Sequence, residues 1–217
     1  KIFEAKGRPS DNPLIVHIAD RKEVYRLAEE IPKDAECLME RFWPGPLTLI
    51  FKKSKIVPKI CTGGLDTVAI RMPANKIALA LIKEADMPIA APSANSFGKP
   101  SPTSAQHVTR DLDGKLDIIL DGSETDIGLE STVLDLTATT PTLLRPGGVN
   151  LEELTDLLGT IAQHQIIKGK KQKKIIARSP GMKYKHYSPD ADVILVEGDY
   201  PKVKRRLQEL ADEYRKE

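Results

Sequence analysis

Lys6-Gly7-Arg8-Pro9-Ser10-Asp11-Asn12-Pro13-Leu14-Ile15-Val16-His17 carries two cations two residues apart, two prolines, and then an apolar run. The run from Leu14 to Ile18 predicts a buried strand. With the cations in a loop ahead of it, Lys6 and Arg8 stand at the strand's N-terminal mouth and His17 near its far end. Arg offers a planar fork and Lys a point charge, a pair suited to an anion such as a triphosphate. The prolines remove backbone donors and stiffen the approach. Asn12 precedes Pro13 and is biased to an extended conformation, which leaves its amide for a ligand. The same residues also describe a plain basic surface loop leading into a core strand.

Outward from this stretch, strands and helices alternate. Asp20 is placed to cap a helix over 21–30 and Asp34 to cap one running through Phe42, stopped by Trp43-Pro44-Gly45-Pro46. Leu47–Phe51 reads as a strand, 58–66 as a loop with a Gly63-Gly64 turn, and Thr67–Pro73 as a strand with Arg71 near its end. Asn75 caps a helix through Ala85, and Pro88–Pro92 is a short buried strand. Thr103 begins a helix. Asp117–Asp121, Ser131–Leu136 and Thr142–Leu144 are strands, and Asn150 caps a helix through Leu158. Interleaved strands and helices imply an α/β domain built on a mixed twisted sheet. From His164 to Arg178 the composition turns to Lys, Gln and Gly and reads as a flexible linker. An aromatic, cationic stretch follows, Ser179–Pro189, then a strand over 192–197 and a helix over 201–215. That last unit is too small to bury its own apolar face.

The 217 residues are 40% hydrophobic and 29% charged, enough for a buried core. Thirty-three basic against thirty-one acidic residues leave a net charge of +2, so charge does not announce a nucleic-acid binder. No apolar run is long enough to span a membrane. The first residue is Lys1, not Met, so the natural N-terminus is expected to be missing. Cys37 and Cys61 are isolated, which favours reduced thiols and a cytoplasmic setting over a disulfide or a metal site.

Four segments leaving strands carry polar or cationic groups: Lys6/Arg8/Asn12, Arg71, Ser93/Asn95/Ser101, and Ser131 with Arg145. In α/β sheets, ligands collect at strand ends. Each group has a plainer use. Arg71 serves either a ligand or an ion pair with Asp66 or Glu130. Ser93-Ala94-Asn95 is also good turn chemistry. His17 is either a site residue or a satisfied core histidine. The sequence holds no GxxxxGK[ST] loop, GxGxxG, GxSxG or HExxH, and no His/Cys set with metal-ligand spacing.

Taken jointly and in order, Lys6-Gly7-Arg8-Pro9, Asn12-Pro13-Leu14, His17, Phe42-Trp43-Pro44-Gly45-Pro46-Leu47-Thr48, Arg71-Met72-Pro73, Ala91-Pro92-Ser93-Ala94-Asn95, Ser131-Thr132-Val133 and Leu144-Arg145-Pro146-Gly147 resemble the YrdC-like L-threonylcarbamoyladenylate synthases. The resemblance covers about Lys1 to Gly159. It implies a YrdC-like catalytic domain over residues 1–160, a linker over 161–189, and the start of a small Rossmann-like domain over 190–217; the aromatic, cationic make-up of Ser179–Pro189 in that linker suits an active-site lid. The implied reaction joins L-threonine, bicarbonate (or CO2) and ATP into threonylcarbamoyl-AMP and pyrophosphate. Mg2+ would arrive with the ATP. The product would reach adenosine 37 of tRNA through threonylcarbamoyl-transfer proteins, with no membrane involved.

Residue by residue, the resemblance assigns Lys6, Arg8, Ser93 and Asn95 to catalysis. It assigns Arg8, Asn12, Thr67, Ser93, Ser101 and Arg145 to ATP, and His17, Arg71, Ala91 and Ser131 to threonine. Tyr187, or His186 beside it, would touch the nucleotide from the lid. The family's first motif, Pro-Thr-Glu-Thr-x-x-Tyr-Gly, has no counterpart in these residues. Competing readings are a carbamoyltransferase module, an RNA-binding module using the cations of 168–174, and an ATP or threonine sensor without turnover.

Overall fold

The computed structural model describes residues 1–164, 167, 188 and 191–215. The chain divides into two compact units, Lys1–Tyr187 and Ser188–Glu217.

The first unit is a seven-stranded mixed sheet in the order β4-β1-β3-β2-β5-β6-β7. Its strands are β1 (Ile15–His17), β2 (Leu47–Lys52), β3 (Thr67–Arg71), β4 (Ile89–Ala91), β5 (Thr132–Asp135), β6 (Thr142–Arg145) and β7 (Ala162–Gln163). The helices are α1 (Ile2–Lys6), α2 (Val24–Leu27), α3 (Lys33–Phe42), α4 (Lys76–Glu84), α5 (Ala105–Leu112) and α6 (Leu151–Leu158). Alternation along each strand splits the apolar residues between two faces. On one face Val16, Ile18, Leu47, Leu49, Phe51, Val68, Ile70, Leu134 and Leu143 pack with Val24, Leu38, Met39 and Leu154 of the helices as the main core. On the other, Ile15, Ile50, Ala69, Val133 and Leu144 form a small second cluster. His17 and Arg71 stand two residues beyond Ile15 and Ala69, so they continue this second face.

Register gathers chemistry at one end of the sheet. β1 and β3 run parallel and finish side by side, His17 paired with Arg71. β2 is antiparallel to β3 and parallel to β5, so Leu47 and Thr132 open their strands together at the same end. β6 returns antiparallel to β5, and a register shift between Val133 and Leu134 sets Val133 opposite Arg145. Such shifts re-aim a side chain.

Local expectations were corrected at several points. Lys6 is the last residue of α1 and is buried, not part of a surface loop. The helix expected over 21–30 is a 3-10 turn, Arg21–Glu23, followed by α2, which ends at Leu27. Ala28 turns extended and bridges to Lys53, and this pairing with the sheet stops the helix. Asp34 lies inside α3, whose N-cap is Pro32 without a side-chain bond. Asn75 and Asn150 do cap α4 and α6. β4 is a half-buried edge strand, antiparallel to β1, not a buried one. Residues 117–121 form no strand and leave Ile118 and Leu120 exposed, because no described strand lies alongside them. In the second unit, α7 (Tyr200–Tyr214), with Asp199 at its N-cap, is the helix expected over 201–215, but 192–197 has no ladder partner among the described residues and is not a strand.

Candidate active site

Arg8, Ile15, His17, Arg71, Ala91, Pro92, Ser93, Asn95, Lys99, Ser101, Glu130, Ser131 and Arg145 line one cavity of about 170 Å3. Nine of the thirteen residues singled out from sequence are among them. Strand ends supply His17, Arg71, Ala91 and Arg145. The segment after β4 supplies Ser93, Asn95 and Ser101, and the approach to β5 supplies Ser131.

Each guanidinium is partly held by backbone carbonyls, which fixes its direction. Arg8 Nη2 donates to the Pro13 carbonyl at 2.9 Å, and its buried Nε has no partner among the described residues. Arg71 Nε donates to the Gly45 carbonyl at 3.0 Å. Gly45 N in turn donates to the Met72 carbonyl, so the Trp43-Pro44-Gly45-Pro46 turn is pinned to the end of β3. Among the described residues Arg71 makes no ion pair, which leaves the proposed Asp66 or Glu130 pairing unrealised. Arg145 donates through Nε and Nη2 to the Ser131 carbonyl at 3.1 and 2.8 Å. The Ser131 hydroxyl shares a 2.7 Å bond with the Thr48 hydroxyl, both buried.

This close fit needs glycine at 147. A Cβ there would come within 2.6 Å of the Ser131 carbonyl carbon and collide with the backbone on either side of it. Gly147 therefore lets the Arg145-Pro146-Gly147-Gly148 turn lie directly on the segment that presents Glu130 and Ser131.

Burial and concentrated positive charge lower the titrations of basic groups at the site. Burial, then Arg145, lowers the Arg8 guanidinium to about 10. Burial and Arg145 also lower Arg71. Burial, then Arg71, holds the His17 imidazole down at about 4, so it is neutral at physiological pH. Its Nδ1 is buried without a partner among the described residues. Three guanidinium groups and a neutral imidazole around one cavity can hold a carboxylate and phosphates at once.

Four assignments fall elsewhere. Lys6 does not line the cavity. Its Nζ donates to the carbonyls of Ser93 and Asn95, and its own carbonyl accepts from Phe97 N, so it pins the 93–97 loop. Burial, then Arg8, brings its ammonium down to about 8, against a smaller pull upward from Asp111. Asn12 is sealed beneath the surface with both amide atoms unbonded among the described residues. Only its backbone meets the site, through Arg8. Thr67 begins β3, at the opposite end of that strand from Arg71. Tyr187, with His186, lies outside the described residues. From sequence, Lys99 has no role, Thr48 stands only within the Phe42–Thr48 motif, and Glu130 is only a candidate ion-pair partner. Glu130 was open to notice as the acid directly before a predicted site serine.

A sequence profile of the Sua5/YciO/YrdC family, described as telomere recombination, matches residues 1–147. The chain belongs to this family. A second profile, described as the C-terminal domain of threonylcarbamoyl-AMP synthase, matches residues 149–217. A threonylcarbamoyl-AMP synthase of Pyrococcus abyssi is 58% identical over 217 residues, which is all of this chain and 63% of that protein. One of Bacillus subtilis is 52% identical over 211 residues, 96% of this chain and 60% of that protein. The crystal structure of P. abyssi Sua5 complexed with L-threonine superposes with a TM-score of 0.93 at 57% identity, covering 99% of this chain and 63% of that one. The chain thus spans about three fifths of these relatives.

Proposed function

We propose that this member of the Sua5/YciO/YrdC family makes threonylcarbamoyl-AMP from L-threonine, bicarbonate and ATP. The observation that carries the reading is the convergence of Arg8, Arg71, Arg145 and neutral His17 on one cavity at one sheet end. It is supported by the name shared by the relatives and by the threonine held in the similar P. abyssi protein.

Arg71 takes the amino-acid carboxylate with its free fork. Arg8 and Arg145 face the triphosphate, with Ser93, Asn95 and Ser101 along the same wall. His17, neutral, accepts from the threonine hydroxyl. The amine becomes a carbamate, a carbamate oxygen attacks the α-phosphorus, and pyrophosphate leaves. The protein's part is positioning and charge stabilisation, and keeping water from a hydrolysable product. Lys6 acts at one remove, by fixing the loop that carries Ser93 and Asn95. The lining has a single carboxylate, Glu130, already accepting from Ser101, so this donor set does not fit a protein-held Mg2+. A metal would come ligated by the nucleotide phosphates, and no step is routed through it. Transfer to tRNA through partner proteins and a cytoplasmic location belong to the same proposal.

The test is pyrophosphate release from ATP by the intact protein, with threonine and bicarbonate each present or omitted. Release that needs both, with a threonylcarbamoyl-AMP mass in the products, is expected. Threonine and ATP binding without release under any combination would replace the synthase with a sensor.

A further inference from the structure

We propose that Glu130 anchors the ammonium group of the amino-acid substrate and takes the proton it sheds as the amine becomes a carbamate; this rests on the synthase reading above. The cavity is lined by Arg8, Arg71, Arg145 and Lys99, the last ion-paired at 3.7 Å with Asp111, which is not a lining residue; the one acid of the lining is Glu130. An α-amino acid enters as a zwitterion. Its carboxylate has guanidinium partners in abundance, but its ammonium enters a field of like charge. One carboxylate among the lining groups offsets that repulsion and gives the zwitterion an orientation.

The local structure suits such a role. The Ser101 hydroxyl donates to Oε1 of Glu130. Oε2 takes no hydrogen bond among the described residues, and Glu130 lines the cavity. Glu130 forms no ion pair among the described residues, so its charge is not spent on a neighbour. Its backbone is fixed: the Glu130 carbonyl accepts from Gly148 N at 3.1 Å, and Gly147 lies against the same segment. The next residue is Ser131, whose carbonyl holds Arg145. The clamped stretch therefore holds Glu130 in a fixed place on the cavity wall, which Arg71 also lines, so that the acid can take the ammonium while Arg71 takes the carboxylate.

The chemistry requires an acceptor. The ammonium gives its first proton to Glu130 Oε2, which frees the nitrogen lone pair. Nitrogen bonds to the bicarbonate carbon, and the carbon–hydroxyl bond breaks. A second nitrogen proton leaves with that hydroxyl as water. The sum is ammonium plus bicarbonate giving carbamate, water and one proton, carried by Glu130 until released to solvent. His17 is a poor alternative, being buried beside Arg71.

The experiment compares the intact parent, Glu130→Gln and Glu130→Asp by calorimetric titration with L-threonine, with 2,3-dihydroxybutanoate (the analogue lacking the amino group), and with ATP. Turnover at saturating threonine is measured alongside. Glu130→Gln is expected to weaken threonine at least about tenfold, the scale of one charge-assisted hydrogen bond. Analogue and ATP should stay within about twofold, and kcat should fall. Glu130→Asp, which keeps the charge, should recover part of the preference for the amino group. Equal loss of threonine and analogue, or an Asp variant as indifferent to the amino group as the Gln one, overturns the proposal. A parent that binds threonine but never releases pyrophosphate refutes the synthase reading instead, while the binding comparison still decides the ammonium anchor.

Discussion

Protonating His17 should destabilise the fold by about 3 kcal/mol at pH 4 relative to neutral pH. The folded imidazole titrates at about 4, held there by burial and by Arg71, against an ordinary value near 6.5. Between those two values the unfolded chain binds a proton that the folded chain refuses, so this contribution to stability falls as pH falls through 6.5 and is fully lost below 4. Each pH unit inside the window is worth about 1.4 kcal/mol. The cost is then about 2 kcal/mol at pH 5 and about 3 at pH 4, a large share of an ordinary domain's stability. Carboxylates titrate over the same range, so the parent alone cannot isolate the effect. Urea unfolding of parent and His17→Gln should be run at pH 7, 6, 5 and 4. Gln cannot be protonated, so the stability of the parent relative to the variant should drop by about 2 kcal/mol between pH 7 and 5. A difference that stays constant over that interval would refute the claim that His17 is held neutral by its surroundings.

Gly147→Ala should cost several kcal/mol or prevent folding, because the added methyl meets backbone on two sides; thermal melting reports it, and a loss under 1 kcal/mol contradicts the packing. Thr48→Val removes one of two partners of the buried Ser131 hydroxyl, the other being Arg145 Nη2, and should cost about 1 kcal/mol in urea unfolding, with a raised KM for threonine; an unchanged KM would separate Ser131 from the substrate. Lys6→Met leaves two carbonyls of the 93–97 loop without their donor, so hydrogen exchange at Phe97 should accelerate at least about tenfold, while slow exchange as in the parent would show that Lys6 does not hold the loop. Arg71→Lys keeps the charge but loses the fork, and should weaken threonine about tenfold or more with ATP little changed.

Local patterns reported themselves in the sequence wherever the physics was local. Asn75 and Asn150 read as caps because a side-chain amide accepting from the first-turn N–H groups needs only its own helix. β2, β3 and β5 read as strands because their apolar residues are buried on both faces. The reading failed where a distant partner decided. Ala28 leaves the helix to meet Lys53. Residues 117–121 and 192–197 have strand composition, but no ladder is available to either among the described residues, and composition cannot supply one. Lys6 and Arg8 looked like one anion-binding pair, yet at two residues' spacing only Arg8 reaches the cavity; Lys6 turns to the carbonyls of Ser93 and Asn95.

The residue types of the site were legible in advance, since arginines, a histidine and small hydroxyls at strand ends announce an anion-binding centre, and their order along the chain announces the family. Which of them face one another was not. That depended on register. Parallel pairing of β1 with β3 sets His17 beside Arg71, and the shift between Val133 and Leu134 sets Arg145 opposite Val133. Those pairings join residues 54 and 12 positions apart by their numbers, and the free energy that fixes them is the burial of the two apolar sheet faces. The sequence could therefore name the groups, but only the packed sheet could bury His17 beside Arg71 and so hold it neutral, and leave Glu130 as the one acid of the cavity lining.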